Sequence, residues 1–155
     1  MRFEIVNPFT EAIRLTCSSI GIEIHKDKVN LRTGKKIEKS ISFFFKIKGD
    51  FRGSVIYEMD EKLAFEIIRR IYDVDEIPKD KNLVLSGIGE FGNLVNSKLL
   101  EITYRRKLDY SISHPIFYKY KGRVMSYSSP CVEIVFLSEF GEIILSVVFD
   151  MIVSD

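Results

Sequence analysis

The sequence predicts an α+β layout, a mixed and largely antiparallel sheet covered by helices, with one long helix about midway along the chain. Three observations predict it. Apolar residues recur at helical spacing in three stretches, and in several others they alternate at strand spacing. In chain order these patterns read as a helix, two or three strands, two helices and a closing set of strands.

Asn7-Pro8 opens a stretch in which Phe9, Ile13, Cys17 and Ile20 repeat with helical period, so the first helix carries proline in its first turn. Gly21 ends it. From Ile22 to Lys39 the chain is polar and turn-rich around Thr33-Gly34, and its strand signal is weak. Next, Ile41, Phe43, Phe45 and Ile47 alternate with Ser42, Phe44, Lys46 and Lys48, and after a turn at Gly49-Asp50 a second strand runs from Val55 to Met59. That is a hairpin, and the run Phe43-Phe44-Phe45 reads as strand burial on both faces. Asp60 stands as cap to a helix from Glu61 to about Tyr72, with Leu63, Ile67, Ile68 and Ile71 inward. Pro78 separates it from a long helix running from near Asp80 to about Lys107, where Arg105, Arg106 and Lys107 suit the negative end of the helix dipole. The remainder is β: Leu108 to Tyr120 and Arg123 to Met125 joined near Gly122, then a hairpin of Val132, Ile134 and Phe136 with Ile143 to Met151 around Glu139-Phe-Gly141.

A chain of 155 residues is long enough for one core and short for two, so residues 1–155 are expected to form a single domain. The net charge of +1 is spread throughout, which argues against an electrostatic nucleic-acid interface. Cys17 and Cys131 lack metal-ligand spacing and read as two reduced, buried thiols, as expected of a cytoplasmic protein. His25 and His114 have no metal-ligand neighbours in sequence and are expected at the surface or at strand ends. The first residues contain no long apolar run, and the apolar C-terminal stretch is broken by Glu133, Glu139, Glu142 and Asp150, so neither export nor membrane insertion is expected.

The chemistry concentrates in Ser86-Gly-Ile-Gly-Glu90-Phe-Gly-Asn93, inside the long helix. At about 100° per residue, Ser86, Glu90, Asn93 and Ser97 form one polar ridge, while Val84, Ile88, Phe91, Val95, Leu99 and Ile102 cluster opposite. Gly87, Gly89 and Gly92 each cost about 1 kcal/mol relative to alanine in a helix interior, an odd choice for an ordinary solvated face. Gly87 and Gly89 flank the ridge and would let another backbone approach Glu90 and Asn93. Gly89 and Gly92 serve equally well for close packing within the chain. Taken alone, Glu-x-x-Asn is a weak signal, and Ser86 can simply bond back to a carbonyl one turn earlier.

The pattern Ser86-x-x-x-Glu90-x-x-Asn93, with its glycines, the preceding Gly53-Ser-Val-Ile-Tyr57 strand and the later Pro115, resembles the signature of the CheC/CheX/FliY family of chemotaxis phosphatases. One copy of the motif is most similar to the single-site CheX branch. The first helix has Glu11 followed by Arg14 at the corresponding spacing, where a second site would carry asparagine. The resemblance implies the CheC-like three-layer α/β/α fold with a long motif-bearing helix. It also implies a hydrolase acting on the aspartyl phosphate of a CheY-type response regulator in two-component signalling. Asn93 would position the attacking water and Glu90 would dock the receiver's active-site lysine, with Ser86, Gly89 and Gly92 in support. Where relatives often carry small residues, this chain has Asn96 and Ser97, which bears on how closely a partner approaches past Asn93.

The resemblance further implies no cofactor of the chain's own, with Mg2+ supplied by the response regulator, and a homodimer. A long apolar C-terminal hairpin, expected to form an adhesive sheet edge, points to the dimer as well. A noncatalytic module that docks on a receiver or a flagellar-switch component with the same ridge is the alternative, and phosphate release separates the two.

Overall fold

The alternating strands assemble into one antiparallel sheet in the computed structural model, which describes residues 3–76, 79–118, 126–127 and 130–150. Its strands are β1 (His25–Arg32), β3 (Ile41–Gly49), β4 (Gly53–Met59), β5 (Tyr110–Ile112), β6 (Ile116–Tyr118), β8 (Cys131–Ser138) and β9 (Gly141–Phe149), while β2 (Lys35–Lys36) pairs separately with β7 (Ser126–Tyr127). The order is β1-β8-β9-β4-β3, with β5 and β6 both paired to the outer side of β3. Every pairing among the described strands is antiparallel, because the β3–β4 and β8–β9 hairpins meet with β9 running back along β4. The sequence reading allowed a mixed sheet and a three-layer α/β/α arrangement; the α+β class stands, but the described helices all pack on one face of the sheet, where the larger apolar cluster lies. Arg123 to Met125 and Met151, also read as strand, lie outside the described residues.

Three helices complete the fold: α1 (Phe3–Ser19), α2 (Glu61–Tyr72) and α3 (Lys81–Arg105). All three bury side chains in one cluster with the same sheet face, that of Phe43, Phe45, Val55, Tyr57, Val132, Ile134, Phe136, Leu145 and Val147. The opposite face carries a smaller cluster of Phe44, Ile56, Cys131 and Val148, with Ile37 packed against it. The three phenylalanines of β3 thus divide between the faces as strand alternation demands. Cys17 belongs to the first cluster and Cys131 to the second, so the two thiols lie on opposite sides of the sheet. Burial pushes the Cys17 thiol up to about 12, which makes it a core residue and a poor nucleophile.

Three features differ from expectation. Helix α1 begins at Phe3, so Pro8 sits inside it and not in its first turn. At Asp60 the cap position is as expected, yet the side chain makes no cap hydrogen bond. Its Oδ2 instead accepts the Glu142 N–H at 2.8 Å and its Oδ1 accepts from Lys39 Nζ at 2.8 Å, tying the start of α2 to the β8–β9 turn. Burial raises the Asp60 carboxyl, but these two bonds outweigh it and hold the group below the usual carboxylate range. The C-terminal hairpin is also no edge, since β8 pairs with β1 and β9 with β4. An exposed margin therefore falls to β1, and the hairpin gives no support to a dimer.

The helices are fastened by a few specific contacts. Gly21, at φ +79°, closes α1 with the Ile22 N–H donating to the Cys17 carbonyl at 2.9 Å. Tyr57, fully buried in β4, donates its hydroxyl to the Phe9 carbonyl at 3.0 Å and so pins α1 to the sheet. Arg70 reaches from α2 to the Gly21 carbonyl at 2.8 Å, bonds Glu66 at 2.9 Å and lies over the Phe140 ring. Hydrogen bonds from Arg69 and Arg70 hold the Glu66 carboxyl at about 2. Gly87 allows α3 a close contact with α2: a Cβ there would lie 2.7 Å from Ile68 Cγ1. The approach expected of a partner's backbone is taken at this glycine by α2 of the same chain.

Two stability predictions follow from these contacts. Because the folded carboxyl of Glu66 titrates below its unfolded value, its contribution is complete above about pH 4.5 and fades as pH falls toward 2. Glu66→Gln is expected to cost about 1 kcal/mol near pH 7. The melting-temperature gap to wild type should narrow by about pH 3; a constant gap would contradict the linkage. For Gly87→Ala, the clash with buried Ile68 should outweigh the gain of about 1 kcal/mol in helix propensity and destabilise by about 1–2 kcal/mol net. In an Ile68→Ala background the same change should become neutral or stabilising, as a double-mutant cycle of chemical denaturation would show.

Candidate functional site

The site is set by how α3 lies on the core. Asp80 begins the helix, its carboxylate accepting the Asn82 N–H at 2.8 Å, and the helix ends at Arg105. Ile88, Phe91, Val95, Leu99 and Ile102 are buried against the sheet and the other helices. Phe91 meets Phe43 edge to face, with ring centroids 6.0 Å apart. This buried stripe turns the opposite side of the helix outward.

On that outward side Ser86, Glu90, Asn93 and Ser97 are all exposed, as the helical spacing predicts. Glu90 and Asn93 are separated by about 4.5 Å along the axis and belong to adjacent turns. Among the described residues neither makes a side-chain hydrogen bond or ion pair, whereas the other carboxylate of the helix, Glu101, is held by Lys98 at 3.2 Å. A carboxylate and a carboxamide therefore stand open to an incoming partner. Gly89 is half-buried beside the ridge, and Gly92 is buried. Asn96 is half-buried on the flank, and Ser97 continues the ridge.

The ridge runs further than the sequence reading took it. Leu100 and Tyr104 continue the same spacing of four and three residues, and they are 47% and 86% exposed. Extending the helical series two steps past Ser97 would have found them.

Other candidate groups lie elsewhere. His25 and His114 are exposed, at the start of β1 and beyond β5. An open groove of about 490 Å³ runs along α1, lined by Thr10, Glu11, Arg14, Lys26 and Arg106 among others. In it Glu11 is paired with Arg106, so the carboxylate at the position of a second site is already engaged. No group of three or more metal-ligating side chains occurs among the described residues. None of the helices they form is long and apolar enough to cross a membrane.

Comparison with known proteins bears on the family and the fold. A family model described as "Chemotaxis phosphatase CheX" matches residues 41–137, which include β3, β4, α2 and the whole of α3. Among solved structures, the chemotaxis protein CheX of Desulfovibrio desulfuricans is similar at 19% identity and a TM-score of 0.79, over 95% of this chain and 99% of that one. A CheC-like superfamily protein from Shewanella sp. PV-4 shares 20% identity with a TM-score of 0.81, over 97% and 100%. A chain of the CheX-CheY-BeF3-Mg2+ complex from Borrelia burgdorferi shares 18% with a TM-score of 0.72, over 94% and 97%. At these identities the fold is what is shared. No curated protein matches significantly. With its family model covering more than half of the sequence and the fold agreeing throughout, the chain belongs to the CheX family of chemotaxis phosphatases.

Proposed function

We propose that this chain hydrolyses the aspartyl phosphate of a phosphorylated CheY-type response regulator, with Asn93 positioning the water and Glu90 docking the receiver. The observation that carries the reading is the unpaired Glu90–Asn93 couple, one turn apart on the exposed face of a helix whose other face is fixed in the core. The Borrelia complex, in which a CheX binds CheY with BeF3 and Mg2+, supports the choice of partner.

An aspartyl phosphate is an activated acyl phosphate, so its hydrolysis mainly needs a water held in line and charge stabilised on the phosphoryl oxygens. The water oxygen bonds to phosphorus as the phosphorus–oxygen bond to the aspartyl group breaks, leaving a carboxylate and inorganic phosphate. A carboxamide suits the positioning task because it is neutral and offers both a donor and an acceptor. Glu90 pairs with the receiver's active-site lysine, which anchors the partner and sets how deeply Asn93 enters. Mg2+ belongs to the receiver in this reading and supplies charge stabilisation there. Ser86, Gly89 and Gly92 shape the surface beside the pair. The proposal retains a homodimer with one ridge per chain, and the sheet margins open to pairing are β1 at one end and β5 and β6 at the other, not the C-terminal hairpin.

Asn93→Ala is expected to lower dephosphorylation by about 10²-fold or more with an unchanged melting temperature. A variant that folds normally and keeps full activity would remove Asn93 from the mechanism. Glu90→Ala should weaken binding to a BeF3-activated receiver, and Glu90→Lys should weaken it more, since a like charge then faces the lysine. Equal affinity for both variants and wild type would end the docking role. A chain that binds activated receiver yet releases no phosphate in single turnover would be the noncatalytic module instead. Light scattering at micromolar concentration tests the dimer, a mass near 18 kDa counting against it.

A further inference from the structure

We infer that Leu100 and Tyr104 form the apolar anchor of the receiver-docking surface, so that the receiver lies along α3 from Glu90 toward the C-terminal end of the helix. The inference rests on the proposed function and adds the residues that set affinity for the partner.

Three observations converge on it. At about 100° per residue, Ser86, Glu90, Asn93, Ser97, Leu100 and Tyr104 all fall within about 40° of one line along the helix, so they present a single continuous strip. The two large residues of that strip stand in water: Leu100 is 47% exposed and Tyr104 86%, the highest value for any large hydrophobic residue described. No core contact explains an aromatic ring standing in water on a helix that buries its other face well. Tyrosine is among the residues that supply most binding energy in protein interfaces, because a large amphipathic surface is ordered at low entropic cost.

Area then decides how far a receiver must extend. A standard interface covers about 800 Å² on each partner, roughly a disc of 16 Å radius. Leu100 lies about 10 Å and Tyr104 about 16 Å along the axis from Asn93. A partner seated over Asn93 with such a footprint therefore covers Leu100 and reaches Tyr104. The polar pair alone offers too little apolar area to hold it, since an exposed ion pair is worth at most about 1 kcal/mol. Exposed Leu83 sits at the other end of the helix but about 60° off the line, which makes it the poorer anchor.

The test is steady-state dephosphorylation of the CheY-type receivers from the same organism, phosphorylated with acetyl phosphate. Tyr104→Ala should raise KM about tenfold or more while kcat at saturating receiver stays near wild type, because the ring acts in docking and not at phosphorus. Tyr104→Phe should restore most of the affinity, and Leu100→Ala should raise KM by a smaller factor. Leu137→Ala, at an exposed position on the sheet face away from the helices, should leave both constants unchanged. An unchanged KM in Tyr104→Ala, with active wild type, would overturn this inference and leave the Glu90–Asn93 reading intact. A raised KM accompanied by loss of a dimer in light scattering would also overturn it, assigning Tyr104 to a second copy of the chain. If wild type neither binds nor dephosphorylates any of the receivers, the proposed function falls and this inference with it.

Discussion

Everything about the ridge depends on the rotational setting of α3. Five large apolar residues, Ile88, Phe91, Val95, Leu99 and Ile102, are each buried to 3% exposure or less, and burying such side chains contributes about 1.5–3 kcal/mol apiece. Turning the helix by a single residue would lift part of that stripe into water and swing Glu90 toward the sheet, where an unpaired carboxylate is expensive. The exposure of Glu90 and Asn93 is thus not a separate feature of the surface. It is the other side of the packing, and Phe91, locked against Phe43, lies directly beside Glu90 in sequence.

The core that holds α3 is itself fastened at points far from the ridge. Tyr57 ties α1 to the central strand, Ile68 fills the space left by Gly87, and Arg70 joins α2 to the end of α1 and to the β8–β9 turn. None of these groups lies on the exposed side of α3. A change at any of them reaches the ridge only through the position of the helix.

Helices and hairpins with dense apolar periodicity were legible in the sequence: α2 and α3 have the expected extents, and β3–β4 and β8–β9 pair as read. The misreadings have physical causes. β1 was obscured because an edge strand exposes both faces, and seven of its eight residues are exposed, leaving no alternation to detect. The start of α1 was placed too late because proline is most at home in a first turn, yet a helix with enough buried surface tolerates it further in. At Asp60 local propensity suggested a cap, while tertiary contacts from Lys39 and Glu142 claimed the carboxylate. Gly87 was read as room for a partner, and only the three-dimensional packing reveals Ile68 in that space. At the ridge the spacing of Ser86, Glu90, Asn93 and Ser97 was enough, because helical geometry alone puts them on one line.

The contrast between Glu11 and Glu90 shows how the chain separates two similar positions. Both are carboxylates on helices, each with a fourth-residue partner in its motif, but Arg14 replaces the carboxamide in α1. Glu11 is further engaged by Arg106, the capping residue at the C-terminal end of α3. The helix that presents Glu90 therefore also occupies Glu11 with its own terminal cation, while Lys98 draws Glu101 into a pair along the same helix. What remains on α3 is one open carboxylate, Glu90, one turn from the carboxamide of Asn93. The arginines of α1 and α3 are what make the Glu11 position unsuitable for a partner that recognises such a couple.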